Sequence, residues 1–193
     1  MNEDIKTLFK RSNGYLTRKQ IPDKSTYNQL LKLISKGIVV RIKPGIYSYG
    51  DIYSGTMIDV EKIVPDGVLC LFSTWLHYGL STTIPNSFNI AIEKNRKVTL
   101  PNYPPIQLYY WKQEYYELGI TTEKIYDFIV KIYDIEKSVC DAVKFRNKVG
   151  MDVAIEVVKN YVKRKDRDFN KLTKYSRKMR IETIMENFIM PML

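Results

Sequence analysis

Histidine and cysteine are nearly absent from this chain: one histidine, His77, and two cysteines, Cys70 and Cys140, stand among 193 residues. A lone histidine has no second imidazole with which to share a metal, and no serine or cysteine nucleophile motif surrounds it. Packing or hydrogen bonding is its expected role. The cysteines form no CxxC pair and sit among apolar neighbours, which predicts buried free thiols in a reducing cytoplasm, with a disulfide as the alternative. No apolar run approaches the roughly 20 residues that a membrane span needs. The opening MNEDIKTLFKRSNGYL has no apolar h-region, so no secretory signal is expected. A Gly-rich phosphate loop, GxSxG and HExxH are missing too. A metal-dependent nuclease would need two or three convergent carboxylates. Of Asp134, Glu136 and Asp141 only the last two approach one helical face, and the helix dipole with Lys137 or Arg146 accounts for them. The expectation is a cytoplasmic protein that is not an enzyme and uses no metal and no cofactor. Internal repeats and low-complexity segments are absent.

What is present is ordinary in amount and uneven in placement. The hydrophobic share is 45% and the mean hydropathy −0.29, values of a globular chain able to bury one core or two small ones. The net charge is +10. Residues 1–50 hold ten basic and three acidic side chains, and residues 163–180 hold nine and two. The stretch between them, 51–162, holds twelve and fourteen. The excess is therefore packed into two blocks, an arrangement suited to a polyanion held at two places.

The stretch Lys24 to Tyr49, KSTYNQLLKLISKGIVVRIKPGIYSY, organises the first block. Tyr27, Leu30, Leu31, Ile34 and Ile38 fall at helical spacing and predict one apolar stripe. Gly37 sits where a left-handed cap belongs. Val39 to Lys43 then alternates, predicting Val40 and Ile42 on one side and Arg41 and Lys43 on the other. Pro44-Gly45 supplies a turn and Ile46 to Tyr49 a returning strand. Before this stretch, Asn2 to Arg11 predicts a short amphipathic helix that Asn2 could cap. Thr17 starts a brief second helix, Arg18 to Ile21, and Ser25 is the expected cap of the third. Three helices and a basic hairpin are the inventory of a winged helix-turn-helix, whose third helix lies in the major groove. The base-reading candidates are then Ser25, Thr26, Asn28, Gln29 and Lys32. The phosphate candidates are Arg18, Lys19, Lys24, Arg41 and Lys43, with a minor groove as the alternative site for Arg41 or Lys43. Double-stranded DNA is the expected partner.

Gly50 to Gly55 reads as a linker, dividing a domain of residues 1–50 from a second of residues 56–193. Met57 to Val64 predicts a helix, Val68 to Phe72 a buried strand or helix start, and Ser73 or Thr74 the cap of a short helix running to Tyr78 and closed by Gly79. NIAIE (89–93), IQLYYW (106–111) and FIVKIY (128–133) predict three strands of a small sheet. The aromatics Tyr109, Tyr110, Trp111, Tyr115 and Tyr116 fit sheet packing, with stacking on nucleic-acid bases as the alternative. From Asp134 the pattern is helical to the end, with Gly150 as a stop and Asp152 and Asp168 as caps. The fold class is thus α/β (α+β): an N-terminal winged helix followed by a mixed α/β domain with a C-terminal helical bundle. The last helices carry the second basic block, a candidate patch of Lys163, Arg164, Lys165, Arg167, Lys171, Lys174, Arg177, Lys178 and Arg180.

The segment YDIEKSVCDAVKFRNKVGMDVAIEVVKNYVKRKDRDFNKLTKYSRKMRI, from Tyr133, resembles the C-terminal half of the AbiEi antitoxins of bacterial abortive-infection systems. RIKPGIYSYG resembles that family's wing and FSTWLHYGLS its helix after the linker, in the same order along the chain. The family pattern SALxxxGL is met here with Thr74 and Trp75 in place of the small residue and leucine, a difference of packing. The resemblance implies a type IV toxin–antitoxin protein that serves in phage resistance. It implies that the first domain binds inverted repeats in the protein's own promoter and represses the operon. It also implies that the second domain counteracts a nucleotidyltransferase-like toxin without requiring a direct complex. A module that neutralises the toxin by direct binding is the alternative.

Overall fold

The computed structural model of the protein describes residues 4–49 and 58–192. The expected cap Asn2, the expected linker Gly50 to Gly55 and Met57 lie outside these residues. Two sheets and their helices make a mixed α/β architecture of the α+β kind. The chain divides into two compact units. The first is Met1–Asp66 with Lys97–Ile106 and Lys124–Val130, and the second is Gly67–Arg96 with Gln107–Glu123 and Lys131–Leu193.

In the first unit, α1 (Ile5–Arg11) starts at Asp4, whose carboxylate accepts from the Lys6 amide, and it buries Ile5 and Phe9. Strand β1 (Tyr15–Thr17) and a single 3-10 turn (Arg18–Gln20) lead to α2 (Lys24–Ser35), β2 (Val39–Lys43) and β3 (Ile46–Tyr49). The three strands form an antiparallel sheet in the order β1-β3-β2. The second expected helix is thus only a 3-10 turn. Asp23, not Ser25, caps α2, because its carboxylate reaches the Thr26 amide at 2.8 Å. The far end of α2 closes as the glycine predicts. Gly37 takes φ +70°, and the amides of Gly37 and Ile38 reach the carbonyls of Ile34 and Leu33, each at 3.0 Å. This paired closure is a Schellman motif.

Two expectations about the inner face fail here for one reason each. Register shifts between Arg41 and Lys43, so Ile42 forms a bulge. One extra residue reverses the alternation, and Val39 and Ile42 point inward while Val40 is exposed. On α2, the buried side is set by Thr26, Leu30, Leu33 and Ile34, and Leu31 is 46% exposed. Leu30 packs with Ile5, Phe9, Leu16, Ile21, Val39 and Tyr47 in the core of this unit. Helix α3 (Val60–Ile63) packs through Val60 and Ile63. Lys62 pairs with Asp59 at 2.8 Å and also donates to the carbonyls of Ser12 (3.3 Å) and Tyr15 (3.1 Å).

The other sheet contains β4 (Val68–Leu69), β5 (Phe88–Glu93), β6 (Ile106–Trp111), β7 (Ile120–Ile125) and β8 (Phe128–Tyr133), in the order β6-β5-β4-β8-β7. The three expected strands are present as β5, β6 and β8. Short β4 lies at the centre, antiparallel to β5 and parallel to β8. Helix α4 (Phe72–His77) buries Thr74 and Trp75, and the Trp75 indole N–H donates to the Ser138 carbonyl at 2.9 Å. Helix α5 (Gln113–Tyr116) follows β6.

The helical end comprises α6 (Ile135–Lys144), α7 (Arg146–Val149), α8 (Met151–Val162), α9 (Phe169–Lys178) and α10 (Glu182–Ile189). Asp134 and Asp168 cap α6 and α9, whereas α8 begins at Gly150 with no side-chain cap from Asp152. Val139, Val143, Ala154, Val158, Tyr161 and Leu172 join these helices in one core with Trp75 and Trp111. Both cysteines are buried free thiols in this core, and burial raises the pKa of each. Among the described residues, no helix is long and apolar enough to cross a membrane.

Candidate nucleic-acid interface

The first basic block is organised by the two faces of α2. At ~100° per residue, Lys24, Ser25, Asn28, Lys32 and Lys36 fall on one outward arc. All five are exposed, and Gln29 at the border of the arc is half-buried. Of the expected base readers, Ser25, Asn28, Gln29 and Lys32 therefore share a surface. Thr26 does not. It has no exposed area, and its hydroxyl donates to the Asp23 carboxylate at 3.2 Å. Its place is in the start of the helix, on the core side. Leu31, expected inward, lies at the edge of the outward arc three residues from Asn28, and gives this face one apolar side chain.

The phosphate candidates divide as well. Arg18, Lys19, Lys24 and Arg41 are exposed. Arg18 is held against α2, its guanidinium 4.5 Å from the Tyr27 ring centroid and its N–H on the Ile21 carbonyl at 3.4 Å. Its backbone amide donates to the Gly45 carbonyl at 2.7 Å, which ties the 3-10 turn to the tip of the β2–β3 hairpin. Lys43 is different. Its ammonium donates to the Ile63 carbonyl at 2.5 Å, is half-buried, and has its pKa lowered by that burial. The bulge at Ile42 takes Lys43 out of phase with Arg41, so the expected pair of cations on one strand face is reduced to Arg41.

In the second block, Lys163, Lys165, Arg167, Lys174, Arg177, Lys178 and Arg180 are exposed, and Arg164 and Lys171 are half-buried. Three of the nine are occupied by carboxylates. Arg164 binds Asp166 through two nitrogens at 2.9 and 2.8 Å and donates to the Tyr78 carbonyl at 2.7 Å. Arg177 reaches Glu182 at 2.6 Å. Lys171 bridges Asp134 at 3.1 Å and Glu136 at 3.2 Å. Burial opposes the Lys171 charge, but those two carboxylates outweigh it and push its pKa up to about 12. Arg167 donates to the Arg164 carbonyl and lies over the Phe169 ring. Among the described residues, no ion pair holds Lys163, Lys165, Lys174, Lys178 or Arg180.

Comparison with protein-family models and with characterised proteins finds no match to this sequence.

Several other polar groups of the second unit have structural partners. His77 Nε2 lies 2.6 Å from a Glu123 oxygen, and the Tyr78 hydroxyl donates to the other oxygen at 2.8 Å. Lys137, fully buried, donates to both oxygens of Asp141 at 2.7 and 2.8 Å. Its ammonium also lies 3.8 Å from the Trp111 ring centroid. Among the described residues, no group of three or more His, Cys, Asp or Glu side chains could hold a metal ion. Trp111 is 5% exposed and stacks on Tyr133 and Phe145, as sheet packing requires, whereas Tyr110 is 52% exposed. Sequence reasoning missed Asp23 and Leu31. A D-x-S-T run just before the apolar period was a usable capping signal for the first.

Proposed function

We propose that the protein is a DNA-binding antitoxin and autorepressor of the AbiEi kind. The first unit is read as a winged helix-turn-helix: α2 enters the major groove, and the β2–β3 hairpin is the wing. One observation carries this reading. Lys24, Ser25, Asn28 and Lys32 occupy one exposed face of α2 while Thr26, Leu30 and Leu33 fill the opposite one. A helix fixed in this way presents amide, hydroxyl and ammonium groups suited to base edges and phosphates. The anchored Arg18 and exposed Arg41 would grip the flanking backbone. The unpaired cations of α9 and its approach would add sequence-independent attraction. The operator is proposed to be inverted repeats in the protein's own promoter, and the toxin a nucleotidyltransferase-like protein opposed without a stable complex.

The test has two arms. Fluorescence anisotropy with the DNA upstream of the protein's own reading frame should show binding that outlasts binding to scrambled DNA as salt rises. Co-expression with the adjacent toxin should restore growth. Salt-resistant co-purification with the toxin would instead favour neutralisation by direct binding.

A further inference from the structure

The second unit contains a cavity that the DNA reading does not use. Its volume is about 230 Å3, and its lining comes from the end of β6, the turn after β5, α5, α6 and the end of α9. Three lysines, Lys94, Lys112 and Lys144, surround it. They face one carboxylate, Asp141, both of whose oxygens are already held by Lys137. The charge of the cavity is therefore positive, and an anion is the occupant that would lower it. The backbone brings the first two of these residues to neighbouring positions, since the Lys94 amide donates to the Trp111 carbonyl at 2.8 Å, next to Lys112. Lys144 is held from below. Its ammonium donates to the Met179 carbonyl at 2.9 Å and lies 4.7 Å from the Tyr115 ring centroid. An ammonium has three donors, so Lys144 keeps capacity for a ligand.

The remaining walls are aromatic but for Met179. Tyr110 and Tyr115 line the cavity together with Trp111, and Tyr110 is 52% exposed. A cation triad beside the exposed Tyr110 ring and the half-buried Tyr115 is complementary to a ligand with a planar aromatic part and a phosphate. Stacking takes the first and charge-assisted hydrogen bonds the second. At about 230 Å3, below the ~300–1,000 Å3 of pockets that enclose drug-sized ligands, the cavity encloses part of a mononucleotide and leaves the rest in solvent. We infer that the cavity bounded by Lys94, Lys112, Lys144, Tyr110 and Tyr115 is a binding site for a free nucleoside monophosphate. This goes beyond the DNA-binding reading and does not depend on it.

Isothermal titration of the full chain, freed of nucleic acid, tests it with AMP, GMP, CMP, UMP, adenosine and inorganic phosphate. At least one nucleotide should bind one per chain, with inorganic phosphate and adenosine weaker by about ten-fold or more, a difference of about 1.4 kcal/mol. The double variant Lys94→Glu/Lys112→Glu, both exposed, should lose that binding while keeping its melting temperature. Tyr110→Ala should weaken the nucleotide several-fold and leave phosphate binding unchanged. The proposal is overturned if no nucleotide binds more tightly than inorganic phosphate, or if the charge-reversed protein binds as the parent does. A short single-stranded oligonucleotide that displaces the nucleotides more tightly than they bind would overturn the assignment to a free ligand.

Discussion

The carboxylate of Asp23 takes both polar groups of Thr26, its amide at 2.8 Å and its hydroxyl at 3.2 Å. This pair begins α2, and by turning Thr26 inward it fixes which residues look outward. Hydrogen bonding to the Thr26 amide is the main cause that holds the Asp23 carboxyl below its ordinary value. Asp23→Ala should lower the stability of the first unit, as loss of a helix cap does. Asp23→Asn should cost less. Equal losses in urea titrations of both variants would deny the capping role.

The buried pair Lys137–Asp141 predicts a different pattern. Both side chains are essentially without exposure, 0% and 1%, and burial is the main cause that raises the Asp141 pKa to about 6. Removing one partner strands the other charge. Asp141→Ala should cost about 3–5 kcal/mol, whereas the double change Lys137→Met/Asp141→Leu should recover most of it. A double variant no more stable than the single one would show that the pair contributes more than mutual neutralisation.

Glu156 gives a pH dependence with a definite sign. Burial would raise its pKa, but the Thr82 amide and the Ser81 and Thr82 hydroxyls, at 2.8 to 3.0 Å, outweigh it and lower the value below 4.5. The folded carboxylate holds its proton less tightly than the unfolded one. Its contribution is therefore fully present above pH 4.5 and is lost as pH falls below that value through the folded pKa. The stability gap between the parent protein and Glu156→Gln should be constant from neutral pH down to about 5 and close below 4.5. A gap that widens on acidification would contradict the sign.

The cations separate into those free to meet phosphate and those already engaged. Arg41→Ala, Lys174→Ala and Lys178→Ala should each reduce the slope of log K against log salt by about one. Lys43→Ala and Lys171→Ala should leave that slope nearly unchanged and lower thermal stability, because their ammonium groups serve Ile63 and the Asp134–Glu136 pair. Five equal slopes would mean that the engaged side chains release their partners on DNA.

These contrasts mark where sequence was informative. Helical period and Gly37 were enough to place α2 and its closure, because apolar spacing and a left-handed cap are local properties. The pairing of Val40 with Ile42 on one strand face fails, since a bulge adds one residue that no local pattern announces. Leu31 was assigned inward because the apolar period counts hydrophobicity and not the width of the core, which Leu30, Leu33 and Ile34 already fill. Strand β7 is not among the expected strands, because an edge strand alternates between exposed and half-buried positions and carries little apolar signal. The engagement of Lys43 and Lys171 depends on residues 20 or more positions away, beyond reach of any motif.

The proposed DNA recognition rests on the outward face of α2, and two side chains on that face put it to the proof. Binding of the parent protein, Asn28→Ala and Lys32→Ala is compared on the protein's own upstream DNA and on a scrambled duplex of equal length. Base reading by α2 predicts that each variant loses about 1–3 kcal/mol on the upstream DNA and much less on the scrambled one. Equal losses on the two duplexes, or no preference by the parent protein, would contradict it.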